Sequence, residues 1–305
     1  MNKVMKTIFI FLVFLQGIYV NANDISQKFN TINQLNYGVQ ATNTKLDDIE
    51  KLLPDIPVSK TGKSFLTVNK TGFDVLDTEN QANWVLDAYS KFISRNIPQT
   101  ILDIGSGYGT ISRMALKHNK VVIANDIAAE HLIYARKITK SQGLDLKNLY
   151  LNNSYFPSKI KVENDTLDAV VLYRVIHFLS PQEIEFGLSE IYKWLKRGGQ
   201  VFIVVLSPQH KEYSDWFLPI YNAKWHSGNK WPGEGLEVSK ALPKQQYNLP
   251  KYLHVMDDRP LQYALEKSGF TILKKGFIDM SRFNSSDNSK KRDGKESFGI
   301  IAVKN

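Results

Sequence analysis

Short apolar runs alternate with amphipathic stretches over much of the chain, and this alternation predicts an α/β fold. Five apolar runs have the length and composition of buried strands, and they cover residues 101–104, 121–124, 148–151, 167–173 and 201–206. Apolar residues at helical spacing lie between these runs, as after Ser180, where Ser180, Pro181 and Glu183 form a helix start. Strands that alternate with helices form a mostly parallel sheet that is covered on both faces.

The two ends of this alternation have patterns of their own. Thr78 and Gln81 fit a capping box, which predicts a helix that runs to about Asn96 before the first strand. The chain is expected to close with a helix, a strand, a polar loop and a final strand, at residues 260–267, 271–277, 285–295 and 298–303. This order predicts an antiparallel hairpin at one edge of the sheet.

A double glycine is predicted to end the helix that begins at Ser180. Lys196 and Arg197 suit its last turn, because cations near a helix carboxyl end interact favourably with the helix dipole. Gly198 and Gly199 would then stop the helix.

Two stretches lie outside the alternating pattern. Residues 23–77 are polar and rich in asparagine, and we expect an amino-terminal arm or lid there. Residues 207–256 interrupt the pattern with many aromatic side chains, and we expect this insertion to cover the substrate. Residues 78–305, including the insertion, then form the main domain.

Charge and composition narrow the function only a little. The chain has 305 residues and a formal charge of +9. Because its lysines are scattered, the charge indicates a solvated surface, and the sequence carries no nucleic-acid signature. The absence of cysteine excludes disulfides, thiolate metal sites and a cysteine nucleophile. His210, His226 and His254 lack metal-ligand spacing, and we predict no metal site.

The first 22 residues resemble a secretory signal peptide. Lys3 and Lys6 precede the apolar run 8–20, and Val20-Asn21-Ala22 fits a cleavage site of the A-x-A type. The apolar run is shorter than the roughly 20 residues of a membrane-spanning helix. We therefore expect an exported or secreted protein. The alternative is a protein held at a membrane by an uncleaved leader, which would be its only membrane contact.

A glycine-rich turn follows the first predicted strand. The sequence is Ile101-Leu102-Asp103-Ile104-Gly105-Ser106-Gly107-Tyr108-Gly109, and residues 110–117 then have helical character. Glycine is needed where the backbone takes positive φ or must come close to other groups. The spacing differs from the dinucleotide fingerprint G-x-G-x-x-G, because Thr110 stands where the third glycine would fall. The motif D-x-G-x-G-x-G resembles motif I of the class I S-adenosylmethionine (SAM) dependent methyltransferases.

Two further segments resemble the same family. The stretch L-D-A-V-V-L-Y at 167–173 is similar to its fourth strand, and K-W-L-K-R-G-G-Q-V-F-I-V at 193–204 is similar to its L-k-p-G-G-x-l-x-i pattern. The resemblance covers roughly residues 78–303. It implies a doubly wound, Rossmann-like seven-stranded sheet in the order 3-2-1-4-5-7-6 with an antiparallel last strand, and SAM as the cofactor.

The end of the second strand carries the candidate ribose ligand. Asp126 closes that strand, where α/β folds bind ribose hydroxyls; the alternative is that it only caps the next helix. Asn153 stands where the family commonly has an acid that faces adenine, although it could be a plain turn asparagine. The resemblance implies that ten residues bind the cofactor: Asp103, Gly105, Ser106, Gly107 and Gly109 at its methionine end, Asp126 at ribose, Ile127, Asn153 and Ser154 at adenine, and Tyr173 near the sulfonium.

The resemblance also implies a reaction, which is methyl transfer by in-line displacement at the sulfonium carbon. The donor is already activated, so we expect no obligatory catalytic dyad and name no catalytic residue. His177 is expected to have a structural or helix-start role, and the alternative is a general base. The acceptor, a small molecule or a peptide, is unidentified. Two alternatives remain: an exported, non-catalytic binding protein with this fold, and an NAD-dependent oxidoreductase.

Overall fold

The computed structural model of the protein describes residues 24–32, 37–59, 65–74, 83–279 and 293–305. Its strands are β1 (Val39–Gln40), β2 (Phe65–Leu66), β3 (Phe73–Asp74), β4 (Thr100–Ile104), β5 (Val121–Asn125), β6 (Leu149–Asn152), β7 (Leu167–Tyr173), β8 (Leu195–Leu206), β9 (Leu236–Glu237), β10 (Tyr252–Leu253), β11 (Thr271–Ile278) and β12 (Ser297–Val303).

Helices connect these strands and lie on both faces of the sheet. They are α1 (Lys45–Glu50), α2 (Trp84–Ile93), α3 (Thr110–Leu116), α4 (Ala129–Ser141), α5 (Pro181–Trp194), α6 (Ser214–His226), α7 (Val238–Ala241) and α8 (Asp258–Lys267). Residues 24–32 are also helical, and short 3₁₀ turns cover Leu146–Asn148 and Ile176–Phe178.

The main sheet has eight strands in the order β1-β6-β5-β4-β7-β8-β12-β11. Strands β6, β5, β4, β7 and β8 run parallel, whereas β12 is antiparallel to both of its neighbours. The Rossmann-like α/β fold with an antiparallel last strand is confirmed, and without β1 the strands follow the expected order. The expected number of seven was wrong, because Val39 and Gln40 add an antiparallel edge strand to β6.

Two apolar clusters cover the two faces of this sheet, and successive residues of each strand alternate between them. In β7, Ala169 and Val171 belong to one cluster, whereas Val170 and Leu172 belong to the other. Because both faces are buried, the interior strands are mostly apolar and show no regular alternation of apolar and polar residues.

The amino-terminal residues are joined closely to this core. Three of their side chains are fully buried in one of the two clusters: Ile25, Phe29 and Leu46. Arg136 of α4, itself buried, donates to the carbonyl oxygen of Ala41 at 2.7 Å and pairs with Glu50 at 2.6 Å and Asp47 at 2.8 Å. A buried guanidinium with these partners ties α1 to the main domain.

Two sequence-based helix boundaries were wrong. Helix α2 begins at Trp84, not after Thr78, because Asn83 is extended and its side chain accepts from the N–H groups of Val85 and Leu86. Thr78 and Gln81 themselves lie outside the described residues.

Helix α5 ends at Trp194, so Lys196 and Arg197 belong to β8 and not to a last helical turn. Pairing with the neighbouring strand prevails there over capping chemistry: Leu195 already pairs with Leu167 of β7, and Lys196 forms an ion pair with Asp168 at 2.9 Å.

The insertion folds as a small unit above the carboxyl ends of β7 and β8. Its own apolar cluster centres on Tyr213, Phe217 and Tyr221. Backbone bonds attach it to the sheet edge, where His254 N–H donates to His177 and Met256 N–H donates to Leu206. Within the described residues, no helix is both long and apolar enough to cross a membrane.

Candidate functional site

The glycine turn connects β4 to α3 at the carboxyl edge of the sheet. Gly105, Gly107 and Gly109 have φ values of 67°, 51° and 80°, which is the left-handed region that favours glycine. A Cβ atom at Gly105 would lie 2.6 Å from Val175 Cγ2, and one at Gly109 would lie 2.7 Å from the Ala135 methyl carbon. The turn therefore needs glycine for its conformation and for its close packing.

Asp126 lies directly against this turn. Its Oδ2 accepts from the Gly107 N–H at 3.0 Å, and its Oδ1 accepts from the Ala128 N–H at 2.9 Å. The His131 Nδ1 also lies 3.0 Å from Oδ1. Burial alone would raise the pKa of Asp126, but His131 and the two N–H groups lower it below its ordinary value, so the group is a carboxylate. Asp126 therefore contacts both the glycine turn and Ala128, the residue before α4, although its side chain does not cap that helix.

The end of β6 is held beside Asp126 by amide side chains. Asn125 Nδ2 donates to the carbonyl oxygens of Asn152 and Ser154, at 3.0 Å and 2.8 Å. Asn153 Nδ2 donates to the carbonyl oxygen of Asp126 at 2.9 Å. Because the amide nitrogen of Asn153 is used in this way, its side-chain oxygen is the atom that is left to accept from a ligand.

The remaining predicted residues lie around the same edge. Ile127 lies two residues after β5 and is 55% exposed, so its apolar side chain is open to a ligand at this edge. Tyr173 is buried, and its hydroxyl accepts from Asn83 Nδ2 at 2.9 Å. Asp103 is buried beneath the turn and accepts from Ser112 Oγ at 2.7 Å.

These observations allow a test of whether an adenosyl cofactor fits. A carboxylate offers about four acceptor positions, and the contacts above occupy three of those of Asp126, which leaves one for a sugar hydroxyl. Ser106 Oγ is buried without a hydrogen-bond partner among the described residues, and Ile127 presents an uncovered apolar side chain. Open hydrogen-bonding positions beside an apolar surface are what a nucleoside requires, so the residues present fit the group.

A second polar cluster lies at the end of β7, beneath the insertion. Arg174 has a positive φ of 61°, and its guanidinium donates to Ser297 Oγ at 3.0 Å. Its buried Nε has no hydrogen-bond partner among the described residues, and the same is true of His177 Nδ1 and His254 Nε2. Buried polar atoms are rarely left without partners, so this cluster requires a ligand or water.

The two histidines of this cluster are neutral. Burial, with the nearby Arg174 and His254, lowers the pKa of His177 to about 3. Burial lowers the pKa of His254 to about 4, although its bond to the Leu179 carbonyl oxygen opposes this. Both imidazoles are therefore hydrogen-bonding groups at neutral pH and not cations.

The sequence did not single out every residue that shapes the site. His131 contacts Asp126, Asn83 contacts Tyr173, and Tyr108 of the glycine turn packs on His131, but none of the three was assigned a role from sequence. His131 falls in the first turn of the helix after Asp126, and this short spacing is the signal that could have identified it. Among the described residues, no group of three histidine, aspartate or glutamate side chains is arranged to hold a metal ion.

Comparisons with known proteins indicate a methyltransferase domain. Residues 101–199 match a family model described as a methyltransferase domain. Phosphoethanolamine N-methyltransferase 1 of Triticum aestivum is 28% identical over 106 residues, which cover 34% of this chain and 21% of that enzyme. The probable polyketide synthase 42 of Dictyostelium discoideum is 26% identical over 159 residues, which cover 46% of this chain and 6% of that protein. The chain thus spans only a small part of either relative.

Solved structures show the same fold. A SAM-dependent methyltransferase from Methanosarcina mazei aligns with a TM-score of 0.51 at 20% identity, covering 69% of this chain and 94% of that one. A SAM-dependent methyltransferase from Mesorhizobium loti aligns with a TM-score of 0.50 at 14% identity, covering 72% of this chain and 97% of that one. At these identities the likeness concerns the fold alone.

Proposed function

Because residues 101–199 match a methyltransferase-domain model and the chain has the fold of SAM-dependent methyltransferases, we propose that the protein transfers a methyl group from SAM to an acceptor held beneath the insertion. SAM is the methyl donor that this class of domain uses. The observation that carries the proposal is the contact between the glycine turn and Asp126, with Gly107 N–H at 3.0 Å from the carboxylate. A nucleoside site at the carboxyl edge of the sheet needs a glycine turn and an acid that binds the ribose, and this contact brings the two together.

The residues of this chain would orient the cofactor and exclude water from it. Asp126 would accept from the ribose, Ile127 and Asn153 would flank adenine, and the turn at Gly105 and Ser106 would receive the methionine end. SAM supplies an activated methyl group when it is bound. The protein must then hold the acceptor atom in line behind that carbon, about 3 Å away, which requires positioning and no obligatory general base.

The polar cluster at the end of β7 supports an acceptor site there. His177 comes from the sheet edge, His254 comes from the insertion, and the backbone bond between them closes the cluster on one side. An acidic group on the acceptor would give the Arg174 guanidinium a partner for its buried Nε. We therefore propose a small molecule or peptide that carries such a group.

Replacement of Arg174 by methionine is expected to slow methyl transfer about 10- to 100-fold, because hydrogen bonds to a charged group contribute about 1.5–3 kcal/mol. The affinity for S-adenosylhomocysteine should change less than about threefold, since the proposed cofactor contacts lie elsewhere. Incorporation of labelled methyl groups into fractions of a cell lysate measures the rate, and calorimetry measures the affinity. Arg197→Met is the matched control, because Arg197 is exposed near the opposite end of the sheet. An unchanged rate would remove Arg174 from the acceptor site.

Titration of the purified protein with S-adenosylhomocysteine and with NADH tests the proposed function against its rivals. We expect S-adenosylhomocysteine to bind and NADH not to bind, and we expect label from SAM to enter a lysate component. Binding of NADH alone would favour an oxidoreductase. Binding of S-adenosylhomocysteine without any incorporation would favour the exported, non-catalytic binding protein.

We also propose that residues 1–22 direct export. They lie outside the described residues, so the proposal rests on their sequence. SAM is made in the cytosol, and an exported enzyme would have to meet it after delivery into another cell's cytosol. Amino-terminal sequencing of the native protein tests the proposal. A chain that begins at Asn23 supports it, whereas a chain that retains Met1 supports the membrane-anchored alternative.

A further inference from the structure

A short hairpin of the amino-terminal arm lies against the glycine turn. Strands β2 and β3 form this hairpin, which covers residues 65–74. The Tyr108 hydroxyl donates to the Leu66 carbonyl oxygen at 2.7 Å, and the Phe65 ring meets the Tyr108 ring edge-on at 6.4 Å. Tyr108 is fully buried, although it belongs to the turn itself. A hydrogen bond and a ring contact therefore join the hairpin to the turn.

A second contact joins the hairpin to the carboxylate of Asp126 through a single imidazole. The Val68 N–H donates to His131 Nε2 at 3.1 Å, and His131 Nδ1 lies 3.0 Å from Asp126 Oδ1. Because Nε2 accepts from an N–H group, it carries no proton in this arrangement. The proton is then on Nδ1, which donates to the carboxylate.

His131 has little freedom to make one contact without the other. The ring is 1% exposed and meets the Tyr108 ring edge-on at 5.1 Å. Rotation that breaks the bond to Asp126 would also turn Nε2 away from Val68. The carboxylate, in turn, is held by the Gly107 and Ala128 N–H groups.

We propose that His131 is a positioning residue that couples closure of the hairpin to the orientation of Asp126. A ligand that bonds to the carboxylate holds the imidazole in the orientation that accepts from Val68, and a closed hairpin holds the carboxylate for the ligand. Coupling of this kind is reciprocal, so each event strengthens the other by the same factor. The identity of the ligand as the ribose of SAM rests on the proposed function, whereas the coupling itself rests only on the contacts above.

The coupling can be tested first without any ligand, by amide hydrogen exchange at Val68. His131→Asn keeps a donor near the Nδ1 position but does not reach Val68, so exchange should become at least about tenfold faster. Asp126→Asn should also speed exchange at Val68, although Asp126 makes no described contact with the hairpin. The double variant should be no faster than His131→Asn alone, because both changes break one chain of contacts.

Two controls separate this coupling from general loosening of the fold. His226→Asn replaces an exposed histidine of α6 and should leave exchange at Val68 unchanged. Tyr108→Phe removes the bond to Leu66 and should speed exchange, yet Asp126→Asn should still add to its effect. Exchange at Val68 that is unaffected by Asp126→Asn, or additive effects in the double variant, would overturn the proposal whether or not SAM binds.

Calorimetry with S-adenosylhomocysteine then links the coupling to the cofactor. In the unchanged protein, the ligand should slow exchange at Val68. In His131→Asn it should still bind, within about tenfold of the original affinity, without slowing exchange there. His131→Gln places an acceptor near Val68 but leaves the Nδ1 position empty, so it should keep hairpin protection and lose affinity. Absence of binding to the unchanged protein would refute the proposed function, whereas the ligand-free result would still decide the coupling.

Discussion

Replacement of Asp126 by alanine is expected to lower the affinity for S-adenosylhomocysteine at least about 100-fold. A hydrogen bond to a charged group contributes about 1.5–3 kcal/mol, which corresponds to about 10- to 150-fold, and desolvation of the sugar hydroxyl that is left without its acceptor places the expected loss at the upper end of that range. The same change leaves the N–H groups of Gly107 and Ala128 without their side-chain acceptor, so the free energy of unfolding should fall as well. Calorimetry measures the first effect, and urea unfolding measures the second.

Two further variants make the Asp126 result specific. Asp126→Asn keeps the shape but has one acceptor oxygen for N–H groups that meet both carboxylate oxygens, so it should lose less stability than Asp126→Ala and still bind at least about tenfold more weakly. Asp145→Ala removes an exposed carboxylate that caps a 3₁₀ turn, and it should leave ligand affinity unchanged. Normal affinity in Asp126→Asn and Asp126→Ala would leave Asp126 with only its structural contacts to Gly107 and Ala128.

Replacement of Gly109 by alanine is expected to lower the free energy of unfolding by about 2–4 kcal/mol. The backbone there has a φ of 80°, and a non-glycine residue in the left-handed region costs about 1 kcal/mol or more. The added methyl carbon would also lie 2.7 Å from the Ala135 methyl carbon, and overpacking costs typically about 1–3 kcal/mol. Because Ala135 is a short side chain of α4, relief requires the helix itself to move.

Gly143→Ala is the matched control for Gly109→Ala. Gly143 has a similar φ of 69°, but a Cβ atom there meets nothing within 4 Å. Its cost should be that of the backbone alone, about 1 kcal/mol. Urea unfolding measures both losses of stability. Equal losses would show that the close approach to Ala135 contributes nothing to the change in the free energy of unfolding.

The sequence predicted the parts of the fold that local patterns determine. Apolar runs identified the parallel strands, and the glycine spacing identified a turn whose three glycines do adopt positive φ. The family resemblance placed Asp126 near that turn, and in the structure the Asp126 carboxylate accepts a hydrogen bond from Gly107 of the turn. Each of these features depends on residues that are close in sequence or on a strand order that chain connectivity restricts.

The features that the sequence did not predict depend on distant contacts. The bond between Val68 and His131 joins residues 63 positions apart, and no periodicity encodes it. Capping chemistry was present at both Thr78 and Asn83, but Asn83 also donates to the Tyr173 hydroxyl, 90 residues away. Where two capping signals had similar strength, tertiary contacts determined which one the helix uses. The end of α5 was predicted wrongly for the same reason, because strand pairing and not local capping determines it.

A crystal structure of the protein with S-adenosylhomocysteine would show whether Asp126 holds the ribose of the cofactor. We expect the ribose within hydrogen-bond distance of the Asp126 carboxylate, with adenine against Ile127 and Asn153 and the amino-acid end over the glycine turn. Density for the ligand at any other edge of the sheet, or a ribose that makes no contact with Asp126, would contradict it.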